Sequence, residues 1–191
     1  MVSGRPDLLF DSLRTGSSYE LWDLAVDSGK VGQFGGITST QPLNAVFSPD
    51  GHWVAYNASA VPGSVRSANR GVFVQPYPST GARYQAPKQD LDFHAAWAPD
   101  GRSLFYVPYA VGRTVKVDVQ TRPTLTFGNP VEVPGAPRPG AIATGLRAYD
   151  ILPDGAFVST SDSDTGAVNS TELRVILNWF EELKRLAPPT N

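Results

Sequence analysis

The chain has 191 residues, 41% of them hydrophobic and 18% charged, a globular composition. Sixteen basic residues face eighteen acidic ones, for a net charge of −2, and Arg and Lys are scattered singly, which excludes nucleic-acid binding by phosphate neutralisation. Cysteine is absent, so disulfide, thiol and thiolate–metal chemistry are excluded. The 18 glycines and 17 prolines lie above the roughly 12% of average usage and are spread along the chain. Such regular punctuation by turn formers predicts an all-β protein.

Residues 1–10 carry Arg5 and Asp7 and have no apolar core, so they do not read as a signal peptide. No apolar run approaches the ~20 residues of a transmembrane helix. The expectation is a soluble chain without membrane insertion, its compartment left open.

In chain order, residues 8–34 read as three strands: 8–10, 19–24, and 31–34 after the turn Asp27-Ser28-Gly29-Lys30. A motif then recurs. Ala45-Val46-Phe47-Ser48-Pro49-Asp50-Gly51 returns as Ala95-Ala96-Trp97-Ala98-Pro99-Asp100-Gly101, and more weakly as Tyr149-Asp150-Ile151-Leu152-Pro153-Asp154-Gly155. The spacing is 50 residues from Asp50 to Asp100 and 54 from Asp100 to Asp154, close to the ~40–50 of repeated four-stranded units. The motif predicts a hairpin, in which Pro sets φ and Asp-Gly supplies the tight turn. The strands that follow, 53–56, 104–107 and 156–158, are apolar on both faces. Sheets stacked on neighbours at both faces show that pattern, whereas a sandwich with one solvated face would alternate.

Third strands are expected at 71–74, 114–119 and 173–177, and short fourth strands at 83–86 and 130–133. Four antiparallel strands per unit is the plan of a propeller blade. The prediction is a single partial β-propeller of about four blades, at 5–36, 42–87, 92–134 and 146–178, with 3, 4, 4 and 3 strands. Residues 8–34 match strands two to four of a blade whose first strand would precede Met1. Trp179-Phe180-Glu181-Glu182-Leu183-Lys184-Arg185-Leu186 has helical spacing and stops before Pro188-Pro189, so a short helix is expected at 178–187, packed over the end blade or offered to a partner.

At the Phe/Trp-Ser/Ala-Pro-Asp-Gly stretches the sequence resembles the TolB-like, WD-repeat-like β-propellers. The stretch Val175-Ile176-Leu177-Asn178-Trp179-Phe180-Glu181-Glu182-Leu183 resembles the end of propeller regions C-terminal to bacterial serine/threonine protein kinases. The resemblance implies a propeller fold and a binding or sensing role. Such propellers have six or more blades, more than are read here, and no kinase motif is present: no glycine-rich phosphate loop, His-Arg-Asp or Asp-Phe-Gly.

Asp50, Asp100 and Asp154 read as turn caps, and Trp97 and Phe47 as wedges between blades. His94 and Asp92 enter a first strand, the position that lines a propeller channel; the equivalent positions are Asn44 and Ala148, the latter beside Arg147. Asn44, Asp92, His94, Arg147 and Asp150 therefore form the candidate ligand-binding mouth, with the hydrogen-bonded histidine of a strand start as the alternative reading. His52, after a turn glycine, reads as exposed. Asp162-Ser163-Asp164-Thr165-Gly166 matches the start of a Ca2+ loop, but its twelfth position is Leu173 and not Glu, which favours an ordinary loop. No Gly-x-Ser-x-Gly or His-Glu-x-x-His occurs, so no catalytic residue, metal ligand set or cofactor is assigned.

The expected function is a non-enzymatic binding, sensing or protein-interaction module for a ligand that the sequence does not name. Its uncovered end blades would be closed by self-association, most simply as a twofold dimer. The alternative is a lactonase- or esterase-like propeller hydrolase with a channel cation held by Asn44, Asp92 and Asp150.

Overall fold

The computed structural model describes residues 7–14, 18–59, 70–108, 113–136 and 145–159. All regular elements among these are strands, and every pairing is antiparallel. The expected third strand at 173–177, the helix at 178–187 and the Asp162 loop lie outside the described residues.

The first sheet joins β1 (Asp7–Arg14), β2 (Ser18–Ala25) and β3 (Lys30–Ser39) in sequence order. The second joins β4 (Val46–Phe47), β5 (Trp53–Ser59), β6 (Arg70–Pro76) and β7 (Tyr84–Gln85). The third contains β8 (Asp92–Trp97), β9 (Ser103–Pro108), β10 (Val115–Gln120), β11 (Thr126–Phe127) and β12 (Val131–Glu132). The fourth, as far as it is described, pairs β13 (Tyr149–Ile151) with β14 (Phe157–Ser159). Each sheet is an up-and-down meander, the plan of a blade.

The repeated turns form as their chemistry requires. Ser48 N–H donates to the Trp53 carbonyl, Ala98 N–H to Ser103 and Leu152 N–H to Ala156, each at 2.8 Å. Asp50, Asp100 and Asp154 accept the backbone N–H two residues on, at 3.1, 2.9 and 2.9 Å. Gly51, Gly101 and Gly155 take φ of +71°, +70° and +86°, where a side chain would be strained.

Two strands differ from expectation. β3 runs past Phe34 to Ser39, because residues 34–37 bow out opposite Leu21 before pairing resumes at Glu20↔Thr38. Gly35 and Gly36, at φ +61° and +62°, make that excursion and turn Phe34 and Ile37 into the core. The outer strand of the third blade begins earlier than expected and is split. Thr126 and Phe127 pair with one end of β10, Val131 and Glu132 with the other, around Gly128, Asn129 and Pro130. Pro130 has no N–H for the ladder, which breaks the strand there.

Blades stack through apolar faces. Between the first and second blades, Leu21, Phe34 and Ile37 meet Val54, Tyr56 and Phe73. Between the second and third, Ala55, Val72 and Val74 meet Leu104, Tyr106 and Val117, with Trp97 wedged among them. Ala96 and Val107 meet Tyr149, with Ile151 and Phe157 beside it, in the last interface. Of the strands expected to be apolar on both faces, β5 and β9 are buried over nearly their whole length, whereas β14 leaves Val158 exposed. Each fully buried Leu, Val or aromatic side chain adds about 1.5–3 kcal/mol of apolar burial.

Candidate functional site

The five candidate residues fall at one end of the blades, where the first strands start. Asn44 and His94, equivalent in the repeat, share an unusual backbone: φ is +48° and +57°, the left-handed region that non-glycine residues rarely enter. At His94 this creates a β-bulge. Phe93 pairs with Val107 and Ala96 with Phe105, so His94 and Ala95 together oppose Tyr106.

A bulge frees backbone groups, and side chains from both neighbouring blades take them. Asn57 Oδ1 accepts the His94 N–H at 3.2 Å. From the other side, Tyr149 Oη donates to the His94 carbonyl at 2.6 Å and Arg147 Nη1 to the Ala95 carbonyl at 2.7 Å. One blade back, Asp11 Oδ2 plays the part of Asn57, accepting the Leu43 N–H at 2.7 Å and the Asn44 N–H at 3.4 Å. The repeat is thus a latch: a polar residue in the second strand of one blade holds the entry of the next blade's first strand.

Asn44, His94 and Arg147 come together around the 145–147 segment. Asn44 Nδ2 and His94 Nε2 both approach the Gly145 carbonyl, at 3.1 and 3.3 Å, and Arg147 N–H donates to Asn44 Oδ1 at 2.9 Å. A carbonyl only accepts, so His94 Nε2 carries the proton. Burial, and secondarily the Arg147 charge, pull the His94 pKa below its usual value against the opposing Gly145 contact. The imidazole is neutral at physiological pH.

Asp92 is engaged elsewhere, and Asp150 meets the cluster through Arg147. Asp92 is buried, and its carboxylate accepts the N–H groups of Gln89 and Asp90 at 3.0 and 3.3 Å. Burial raises its pKa, partly offset by those two donors. Asp150 is exposed; its carboxylate takes the Ile151 N–H at 3.0 Å and lies 3.6 Å from Arg147 Nη2. Among the described residues no group of three His, Asp or Glu is placed to hold a metal ion. His52 is exposed beside its turn.

The sequence reading missed Asp11, Asn57 and Tyr149. Asp11 and Asn57 left a trace, since each directly follows the apolar run of its second strand, Leu8-Leu9-Phe10 or Trp53-Val54-Ala55-Tyr56. Both are well shielded: burial raises the Asp11 pKa, with the Leu43 and Asn44 N–H groups acting against it, and Asn57 is only 2% exposed. Along the last described hairpin lies an open groove of about 360 Å³, lined by Arg147, Ala148, Tyr149, Asp150, Val158 and Ser159.

Consecutive antiparallel sheets of three, four, five and, as far as described, two strands, stacked face to face and with repeated Pro-Asp-Gly hairpins in the last three, define a β-propeller fold. Among solved structures, the chain is similar to TolB from Acinetobacter baumannii, with a TM-score of 0.56 and 14% identity over 85% of this chain. Similarity also extends to a hydrazine synthase from Kuenenia stuttgartiensis (TM-score 0.47, 16% identity, 81% of this chain and 55% of that one). A gluconolactonase from Xanthomonas campestris gives a TM-score of 0.46 at 13% identity, over 79% of this chain and 55% of that one. The likeness to TolB establishes the fold, and the chain spans 39% of the TolB chain's length. No family model matches the sequence, and no curated protein matches it.

Proposed function

We propose that this chain is a non-enzymatic binding and interaction module of the propeller type, closed by self-association of its blades. One observation carries the reading. Among the described residues, no sheet covers the face of the first blade that points away from the second, where Leu8 is 56%, Phe10 40% and Val31 49% exposed. Cross-strand pairing sets Leu8 beside Leu24, Leu24 beside Val31, and Phe10 beside Trp22, so these side chains form one patch. Contiguous apolar patches of this kind mark surfaces that meet another macromolecule. Two copies completing each other would give a ring of about eight blades, within the span of known propellers.

The end bearing Asn44, Asp92, His94, Arg147 and Asp150 is the proposed ligand-facing end. Its support is the paired left-handed backbone at Asn44 and His94, since strain of about 1–3 kcal/mol persists only where surrounding structure holds it.

Sedimentation velocity and light scattering at micromolar concentration test the self-association, with a dimer expected; a compact monomer would sink the reading. Lactone and ester hydrolysis assays, with and without chelator, test the non-enzymatic part. No turnover is expected, and chelator-sensitive activity would instead favour the cation-dependent hydrolase with Asn44, Asp92 and Asp150 as ligands.

A further inference from the structure

The internal blade contacts indicate what should cover the open face. Register makes Leu8, Phe10 and Trp22 of the first blade the equivalents of Val54, Tyr56 and Phe73 in the second. In each blade the second-strand aromatic, Phe10 or Tyr56, sits opposite the third-strand one, Trp22 or Phe73. The polar latch residue, Asp11 or Asn57, follows directly in sequence. In the third blade the same positions are Leu104, Tyr106 and Val115. Val54, Tyr56, Phe73, Leu104, Tyr106 and Val115 are all buried, because the preceding blade's outward face lies on them.

That outward face is itself a repeated set. Val46 and Ala55 supply it in the second blade, Ala96 and Phe105 in the third. The turn equivalence of Gly101 with Gly155 and Ala98 with Leu152 carries Ala96 onto Asp150 and Phe105 onto Val158. In the fourth blade Asp150 and Val158 pair across the hairpin, and Val158 is 49% exposed against the open groove. Tyr149, Ile151 and Phe157 alternate to the other side, against the third blade.

We infer that the first-blade face of one copy receives the outward face of the fourth blade of a second copy, with Val158 seated over Leu8 and Phe10. This deepens the self-association reading and rests on it. The contact is heterologous, and a twofold axis repeats it in the opposite sense, which closes the pair without leaving a face over. The first-blade patch of Leu8, Phe10, Trp22, Leu24 and Val31 is apolar; on the same face, at its edge, Glu20 accepts from Trp22 Nε1 at 3.3 Å and is paired with Arg14 at 2.8 Å, so the charge beside the patch is paired. The one charged member of the outward set, Asp150, keeps Arg147 beside it at 3.6 Å.

The chain has no cysteine, which allows a clean test by engineered cross-linking. Leu8→Cys and Val158→Cys would be made as separate full-length variants, both at exposed sites, with retained fold checked by circular dichroism. Facing sheets lie about 10 Å apart, beyond the about 7 Å Cα reach of a disulfide, so a short bis-maleimide linker is used to join the two cysteines. Treating the mixed variants with it is expected to yield the Leu8→Cys/Val158→Cys heterodimer as the main product, with little of either homodimer. A dominant Leu8→Cys homodimer would overturn the face assignment in favour of like-on-like packing. No cross-link in a protein that is nonetheless dimeric by light scattering overturns the assignment and leaves self-association standing. A monomer overturns both. Leu8→Asp, which places an unpaired charge in the contact, is expected to weaken dimerisation by about 100-fold; an unchanged dimer would count against the assignment.

Discussion

At the scale of single residues, the most informative groups are the polar side chains that tie one blade to the next. Asn57 uses its oxygen on the His94 N–H and its Nδ2 on the Pro42 carbonyl, at 2.7 Å for the latter. Asn57→Ala leaves both backbone groups without these partners in a buried place, so a loss of about 2–4 kcal/mol is expected, read as a lowered thermal midpoint. His94 makes a pH prediction with a definite sign. Its folded pKa lies below its unfolded one, so the unfolded chain binds the proton more readily. Stability is therefore unaffected by this group above the unfolded value near 6.5 and is lost as pH falls below it. Asp11 and Asp92 act oppositely: their raised pKa values mean the folded state holds its protons better, a contribution fully present below the ordinary carboxylate value and lost as pH rises through the raised folded one. His94→Asn separates the two effects, because asparagine already occupies the same left-handed backbone at position 44. The variant is expected to lose part of the stability decline between neutral and mildly acidic pH in thermal melts. An unaltered profile would show that His94 does not carry it.

At the scale of elements, the hairpins were legible in the sequence and the excursions from them were not. Ser-Pro-Asp-Gly is a local instruction: Asp caps its own turn and Gly accepts positive φ, so neither depends on distant packing. The bowed segment at residues 34–37 is different, since it forms only because Phe34 and Ile37 find apolar partners in the second blade. Gly35 and Gly36 share the same φ, yet their surroundings differ. A Cβ on Gly35 would lie 2.6 Å from Gln75 Oε1, while one on Gly36 would meet nothing within 4 Å. Gly36→Ala is expected to cost about 1–2 kcal/mol of left-handed strain. Gly35→Ala should lose more than that, because Gln75 also holds Tyr56 Oη, at 2.9 Å, and must shift. Denaturant melts of the pair check the order; equal losses would mean Gln75 moves freely. The split outer strand of the third blade was likewise half visible: Pro130 marks the break, but only the pairing with both ends of β10 shows that the chain returns to the same sheet.

At the scale of the whole molecule, stacking decides everything that local chemistry leaves open. The continuous apolar second strands announced blades buried on both faces, and the second and third blades meet that expectation. The first blade has the same kind of strand and the same register, but no sheet covers its outward side among the described residues. Leu8→Asp should thus leave monomer stability within about 0.5 kcal/mol, the range of exposed substitutions, while weakening association as above; a large fall in thermal stability at dilute, monomeric concentration would contradict this. By itself the sequence determined the all-β class, the blade period, the turn chemistry and the end of the molecule at which Asn44, His94 and Arg147 gather. These follow from spacing and from residues that act on their own backbone. Only the tertiary structure decided that Asp11, Asn57 and Tyr149 latch blade to blade, that Asp92 is engaged apart from the other candidate residues while Asp150 lies beside Arg147, and that Leu8 and Phe10 face open solvent. Each of those facts depends on which strands become neighbours across dozens of residues, and pairing at that range leaves no periodic mark in the chain.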